Sequence, residues 1–533
     1  MRRLLAPLFL LLLPLATASG QLARPAEARS AADQQLASAP APEVESLRRD
    51  LARIIDAPGW RGDDYGVLVV SLDRGDTLFA LNPDLPLAPA SNTKLFSTAA
   101  ALYYLGPDYR YTTYLLADGP ILGGVLEGDL ILYGTGDPSI SRRVYDDPLA
   151  PFRALVDSLV AAGVHRVQGD VVGDGSYFDD QWVGPGWEER DLNAWYGAPV
   201  GALSFGENVV TLRLRPSSPG RPARVITSPA TAGLALENRV MTVRNGQSGV
   251  SFERVDGRLV AVGQVRSGTA GIARTLPVVD PANYAAAVLR ALLAERGISV
   301  GGQVRSVRDP AASRVRFASL GAESGASVPR VIGSHQSPPL AEIVSVTNHV
   351  SHNLFAEALL KTVGRAAWGE GSYRAGAAAV QHFLEEELGP EPVSISQVDG
   401  SGLSRNNLLT ARTAVRLLGY MPESDVWDSY FASLPAAAVP RGLEHRMRGT
   451  AAAANLRAKT GTIRRVSALS GYVRTADGEL LAFSILANGV PSTARAKQSE
   501  DQIGARLAAF SRGDGAAGES VAATRTSSPG LEE

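Results

Sequence analysis

Two short strings hold residues that could do chemistry together. Ser91-Asn92-Thr93-Lys94 is the one Ser-x-x-Lys of the chain, and Lys459-Thr460-Gly461 is its one Lys-Thr-Gly. A serine hydroxyl is a weak nucleophile until a base takes its proton. A lysine one helical turn further on returns to the same face and can be that base, if burial or a nearby cation favours its neutral form. A serine that caps a helix with a lysine in the first turns is common, so the first string alone decides little. Composition adds weight. Lysine occurs only at 94, 361, 459 and 497, and arginine supplies the rest of the 52 basic residues. Arginine serves wherever a fixed positive charge is enough, but it cannot deprotonate to act as a base. Two of the four lysines fall in these two strings.

The elements that must position them are legible in outline. Leu95, Ala99, Leu102 and Leu105 recur at helical spacing and Gly106 ends the run, which sets Ser91 at or near a helix N-terminus. Tyr65 to Leu72 reads as a buried strand, and Asp73-Arg74-Gly75-Asp76 turns it into a second strand near Thr77–Leu81. A helix is expected at Glu43–Ile55. In the last third, Lys459 lies on a strand. A hairpin of about Ala468–Arg474 and Leu480–Leu486 turns at Asp477-Gly478, and a closing helix covers about Thr493–Phe510. Hairpins at both ends with helices between them predict an antiparallel sheet built from both ends of the chain, an α+β fold.

A third polar string, Ser351-His352-Asn353, lies mid-way along a helical apolar face that runs from Leu340 to Ala358. A break there would point polar groups into a cleft. Ser404-Arg405-Asn406 is a second Ser-x-Asn, but it follows Asp399-Gly400-Ser401-Gly402-Leu403 and reads as a separate loop. Between about 107 and 333 the texture changes to short strands, turns and frequent Gly and Pro, with helices near 147–162 and 283–296. Strands are expected at Val240–Arg244, Ser251–Val255 and Arg258–Val262, the last two joined at Asp256-Gly257, and Pro216 to Pro222 reads as a linker. This stretch is read as one or two mostly β domains inserted into a discontinuous catalytic domain of 43–106 and 334–511.

The chain has 533 residues, 45% hydrophobic and 20% charged, with a formal net charge of −2. No basic field argues for nucleic acid. Residues 1–20 read as a secretory signal, with Arg2 and Arg3 before the apolar run Leu4–Leu15 and the small residues Ala16-Thr17-Ala18 after it. No later run approaches a transmembrane length, and cysteine is absent. The expected product is exported, to the periplasm or cell-wall space. Residues 21–42 and 512–533 are expected to be disordered, as leader and tail. The six histidines show no metal spacing, and no cofactor is implied.

Taken together and in this order, Ser-x-x-Lys, Ser-x-Asn and Lys-Thr-Gly resemble the penicillin-binding proteins and serine β-lactamases. Ser91 and Ser351 are 260 positions apart, Ser351 and Lys459 only 108. The long first interval resembles the D-alanyl-D-alanine carboxypeptidase/endopeptidase family of low-molecular-mass class C penicillin-binding proteins. Gly134-Thr135-Gly136-Asp137-Pro138, Asp399 to Arg405 and Val466 to Val473 add to the likeness, which covers roughly 43–511. Glu189-Arg190-Asp191-Leu192-Asn193 matches a class A β-lactamase string but precedes Ser351 by more than 150 positions, and is read as coincidence.

The resemblance implies a serine-type D-Ala-D-Ala carboxypeptidase acting on peptidoglycan stem peptides, with D,D-endopeptidase action on cross-links as a second activity of the family, and acylated by β-lactams. It implies Ser91 as nucleophile, Lys94 as base, Ser351 as proton relay, Asn353 as a clamp on Lys94 and substrate, and Lys459 as partner of the terminal carboxylate. Thr460, Gly461 and Thr462 would bind substrate, with backbone N–H groups of Ser91 and Thr462 as the oxyanion hole. Asp191, Tyr196, Arg405 and Ile463 match pocket positions for a diaminopimelate-like side chain. Asp191 could equally be a solvated loop acid. The alternative function is a wall-binding or scaffolding protein of the same fold without turnover, which the intact motifs disfavour.

Overall fold

The computed structural model describes residues 41–56, 64–229, 236–255, 258–320 and 329–513. The expected signal at 1–20, the leader up to residue 40, the Asp256-Gly257 turn and the tail from 514 lie outside them.

A five-stranded antiparallel sheet draws on both ends of the chain. Its order is Thr77–Leu81, Tyr65–Ser71, Leu480–Ala487, Val466–Arg474 and Arg457–Ile463. The inner strands are buried along almost their whole length, as expected of apolar, β-branched strands covered on both faces. On one face lie helices Pro42–Ile55 and Thr493–Ala508, whose Leu47, Leu51, Ile503 and Leu507 pack against Val67, Phe483 and Ile485. Arg506 ties the two helices together through Asp50 at 2.9 Å. On the other face lie helices Thr93–Leu105, Leu340–His349, Asn353–Trp368, Tyr373–Glu387 and Ala411–Tyr420. Their core includes Phe96, Leu102, Phe355, Leu359, Phe383 and Leu417. The strand Arg457–Ile463 ends the sheet order; its outer edge is bridged at Arg457 by Ala436, and no further strand lies beyond it among the described residues.

The stretch after the Ser91 helix builds sheets of its own. Val304–Val307, Val171–Asp174, Asp129–Gly134, Thr112–Asp118 and Arg330–Gln336 form a second five-stranded sheet, with two parallel pairs. Helices Ala150–Ala161 and Pro281–Glu295 pack on it through Phe152, Leu155, Leu289 and Leu292. Two three-stranded sheets follow. One contains Val209–Arg215, Arg224–Ser228 and Ile272–Pro277, and the other Leu236–Val243, Gly249–Val255 and Arg258–Arg266. The strand Arg330–Gln336 runs through position 333 and carries the inserted sheet three residues beyond the expected boundary.

Two expectations are corrected. Pro216 to Pro222 is not a free linker: Ser217 N–H donates to Thr242 Oγ1 at 2.9 Å, Gly220 N–H donates to the Thr242 carbonyl at 2.8 Å, and Pro222 bridges to Met241. Its proline content hid a segment laid along a strand. The tail does not begin at 512 either. Arg512 reaches back to Glu479 at 2.9 Å and Asp76 at 2.7 Å, a fork of donors that two carboxylates hold in place.

Candidate active site

Ser91 sits in a single 3₁₀ turn, Ala90–Asn92, that feeds directly into helix Thr93–Leu105. The turn is tight. Ala90 has a φ of 47°, and the Thr93 hydroxyl donates to the Ala90 carbonyl at 2.9 Å. Gly402, at φ +79°, lies so close that a Cβ there would fall 1.8 Å from the Ala90 oxygen. A Cβ on Gly461 would fall 2.6 Å from the Pro89 oxygen. Only glycines let the 399–405 loop and the Lys459 strand approach the Ser91 turn this closely.

Lys94 is fully buried, and its Nζ lies 3.0 Å from Ser91 Oγ. It also reaches Asn353 Oδ1 at 2.8 Å and the Ser401 carbonyl at 2.8 Å. A neutral amine has two protons, and these two carbonyl oxygens can accept both. The lone pair then faces the Ser91 hydroxyl, and the arrangement can move a proton from Ser91 to Lys94. Burial pushes Lys94 down to about 7, against the pull of Glu357 and Asp399. Lys459, also buried, is held well below its ordinary value by burial first and by Lys94 second.

The apolar face breaks at Ser351. Helix Leu340–His349 stops, Ser351 adopts a φ of 56°, and helix Asn353–Trp368 begins. Ser351 Oγ lies 2.9 Å from Lys459 Nζ, while Asn353 reaches Lys94. The structure therefore brings Ser91, Lys94, Ser351, Asn353 and Lys459 together. Ser404 is placed elsewhere: its Oγ accepts from Asn406 N–H at 3.2 Å and its own N–H donates to Asp399 at 2.7 Å, loop-forming contacts both.

A cavity of about 460 Å³ opens on these groups, lined among others by Ser91, Ser351, Asp191, Arg405, Thr462 and Ile463. Tyr196 lines it too, and its hydroxyl donates to Asp191 Oδ1 at 3.2 Å. Asp191 is nearly buried, which sets aside the reading of a fully solvated loop acid. Arg405 hydrogen-bonds the Arg464 carbonyl and lies 3.6 Å from Glu188. Thr460 is half-buried on its strand and does not line the cavity. A second cavity, of about 650 Å³, lies on the far side of Trp195 and holds none of the motif residues.

Sequence reasoning missed the contacts that brace these groups. Trp187, Val200, Leu354 and Leu403 pack together and moor the inserted segment to the catalytic helices. Trp187 Nε1 also donates to Asp399 at 2.9 Å. The Tyr196 carbonyl accepts from Asn353 Nδ2 at 3.0 Å. Glu357 and the Ser401 carbonyl support Lys94 from below. Glu357 alone left a trace in the sequence, as a charged residue four positions after Asn353 within an apolar run. His352 pairs with Glu207 of the inserted segment at 2.7 Å.

This fold and this cluster define a serine-dependent enzyme of the penicillin-binding type. The model of the D-Ala-D-Ala carboxypeptidase 3 (S13) family matches residues 47–510, and the chain belongs to that family of hydrolases. The D-alanyl-D-alanine carboxypeptidase of an Actinomadura species is 34% identical over 494 residues, covering 90% of this chain and 87% of the relative. The D-alanyl-D-alanine carboxypeptidase DacB of Haemophilus influenzae is 25% identical over 437 residues, with 80% and 86% covered. The crystal structure of penicillin binding protein 4 (dacB) from H. influenzae superposes with a TM-score of 0.71 at 24% identity, covering 87% of this chain and 99% of that one. Among the described residues, no helix is long and apolar enough to cross a membrane.

Proposed function

We propose that this enzyme removes the terminal D-alanine from peptidoglycan stem peptides through an acyl-enzyme on Ser91, and that it also cuts D,D-cross-links. The observation that carries the reading is the contact between buried Lys94 and Ser91 Oγ at 3.0 Å, with two carbonyl oxygens ready to take the amine's own protons.

Lys94 takes the hydroxyl proton as Ser91 attacks the carbonyl between two D-alanines. The backbone N–H groups of Ser91 and Thr462 receive the oxyanion. Ser351, hydrogen-bonded to Lys459, relays to the leaving amine the proton that Lys94 took from Ser91, which returns Lys94 to its neutral form. Lys459 draws the terminal carboxylate, with help from the hydroxyl of Thr462, which lines the cavity where Thr460 does not. Water then releases the acyl group, with Lys94 again as base. Asn353 holds Lys94 and the substrate amide. Asp191 and Tyr196 face the amine of a diaminopimelate-like side chain, and Arg405 and Ile463 frame it. A β-lactam enters by the same route and acylates Ser91. The inserted sheets, from about 107 to 336, form a domain of their own moored within the catalytic segments on either side of them. The site of action is the periplasm or cell-wall space, reached through the signal at 1–20.

The test pairs two assays. Purified enzyme is incubated with a fluorescent penicillin and with a pentapeptide ending in D-Ala-D-Ala. Labelling of the band together with release of D-alanine is expected. Labelling without release from the pentapeptide or from cross-linked muropeptides would leave a binding protein without turnover.

A further inference from the structure

Glu357 lies four residues after Asn353 on the same helix, so both side chains project from one face. It is fully buried. Its Oε2 accepts from Gly400 N–H at 2.5 Å and its Oε1 from Ser401 N–H at 2.9 Å. The loop it grips is held from the other side by Ser97, whose hydroxyl donates to the Gly400 carbonyl at 2.8 Å. The Ser401 carbonyl is the group that takes a proton of Lys94. One carboxylate thus fixes the loop that aims the amine.

We propose that Glu357 is a positioning residue for Lys94, acting in two ways: it orients the Ser401 carbonyl, and its negative charge sets the pH at which Lys94 becomes a base. The proposal rests on the reading of Lys94 as the base. A carboxylate and an amine in a shared low-dielectric interior interact strongly, and the anion favours the ammonium. Lys94 is faced by Asp399 in the same loop, by Lys459 on the sheet edge and by His352 at the helix break. Glu357 is faced by Asp399, by Lys361 on its own helix and by Tyr373 on the next. Asp399 has other work: it accepts from Trp187 Nε1, Gly402 N–H, Ser404 N–H and Asn407 Nδ2. Burial and Asp399 push Glu357 up, while the Gly400 and Ser401 N–H donors and Lys94 pull it down towards the charged form.

The experiment measures the rate of acylation by a chromogenic cephalosporin against pH for wild type, Glu357→Gln and Glu357→Asp, with folding checked by near-ultraviolet circular dichroism. Glu357→Gln removes the charge, so the midpoint should move to lower pH by about one unit. Glu357→Asp keeps the charge but shortens the arm. Its midpoint should stay near wild type, while the limiting rate at high pH falls at least about 10-fold as the loop loses its grip. A folded Gln variant with an unmoved midpoint, or a folded Asp variant with an unchanged limiting rate, overturns the proposal. Failure of both variants to fold would assign Glu357 to the fold alone and overturn it equally. If wild type itself shows no fall in rate towards acid pH, the reading of Lys94 as base fails first, whatever the variants do.

Discussion

Asn353 donates its side-chain amide to the Tyr196 carbonyl at 3.0 Å and thereby turns its oxygen to Lys94 Nζ at 2.8 Å. An asparagine has one face of each kind, so the inserted segment decides which one Lys94 meets. The base is thus oriented, through Asn353, by a residue 102 positions from it in sequence, on the same short stretch that carries Asp191.

The nucleophile is the first prediction. Ser91 lies 3.0 Å from the Lys94 amine and on the wall of the cavity. Intact-mass spectrometry after penicillin treatment should show one adduct on wild type and none on Ser91→Ala. An adduct that persists in the variant would place the nucleophile elsewhere.

Lys94→Arg keeps a cation and removes the base, because a guanidinium does not deprotonate. Acylation should fall by on the order of 10²-fold or more. Near-wild-type labelling in a stopped-flow assay would reduce Lys94 to a structural cation.

The pH dependence has a definite sign. Burial lowers Lys94 to about 7, so the neutral amine predominates above that pH and the ammonium below it. The acylation rate should therefore rise with pH through neutrality and fall about tenfold per unit below the midpoint. A flat profile from acid to neutral pH would contradict the assignment.

Much of this was legible because it lies in contiguous side-chain strings. The helix after Ser91, the hairpins and the break at Ser351 follow from apolar spacing and from local punctuation by Gly and polar residues. What was hidden lies in long-range backbone contacts. The Ser401 carbonyl that meets Lys94, and the Tyr196 carbonyl that orients Asn353, carry no side-chain signature at all. Nothing in the sequence around Trp187 singles it out, and only the fold sets its indole against Asp399. The Pro216–Pro222 segment misled for the same reason. Its prolines flank a turn at Ser218–Arg221 that docks on Thr242, and that docking has no local signature.

The two Ser-x-Asn strings separate by experiment. Ser351 Oγ is 2.9 Å from Lys459, whereas Ser404 turns its hydroxyl to the Asn406 amide. Ser351→Ala should slow D-alanine release strongly with little change in melting temperature. Ser404→Ala should act mainly on loop order and thermal stability. Reversed kinetic effects would move the motif to 404.

Specificity should reside in Asp191. Its carboxylate lines the cavity beside Ser91, nearly buried and held by the Tyr196 hydroxyl at 3.2 Å. Its other charged neighbour, Arg190, stands at 3.9 Å, so the carboxylate keeps accepting capacity for an incoming amine. A hydrogen bond to a charged group contributes roughly 1.5–3 kcal/mol. Asp191→Ala should therefore lower kcat/KM by about 10- to 100-fold for stem peptides with a free side-chain amine. The same peptide with that amine acetylated, and simple penicillins, should react almost unchanged, because neither presents a cation to the site. Tyr196→Phe should give a smaller loss with the same selectivity, since it frees the carboxylate without removing it. Equal losses on free and acetylated peptides would show that Asp191 braces the Trp187–Tyr196 segment, and through it Asn353, and does not contact the substrate.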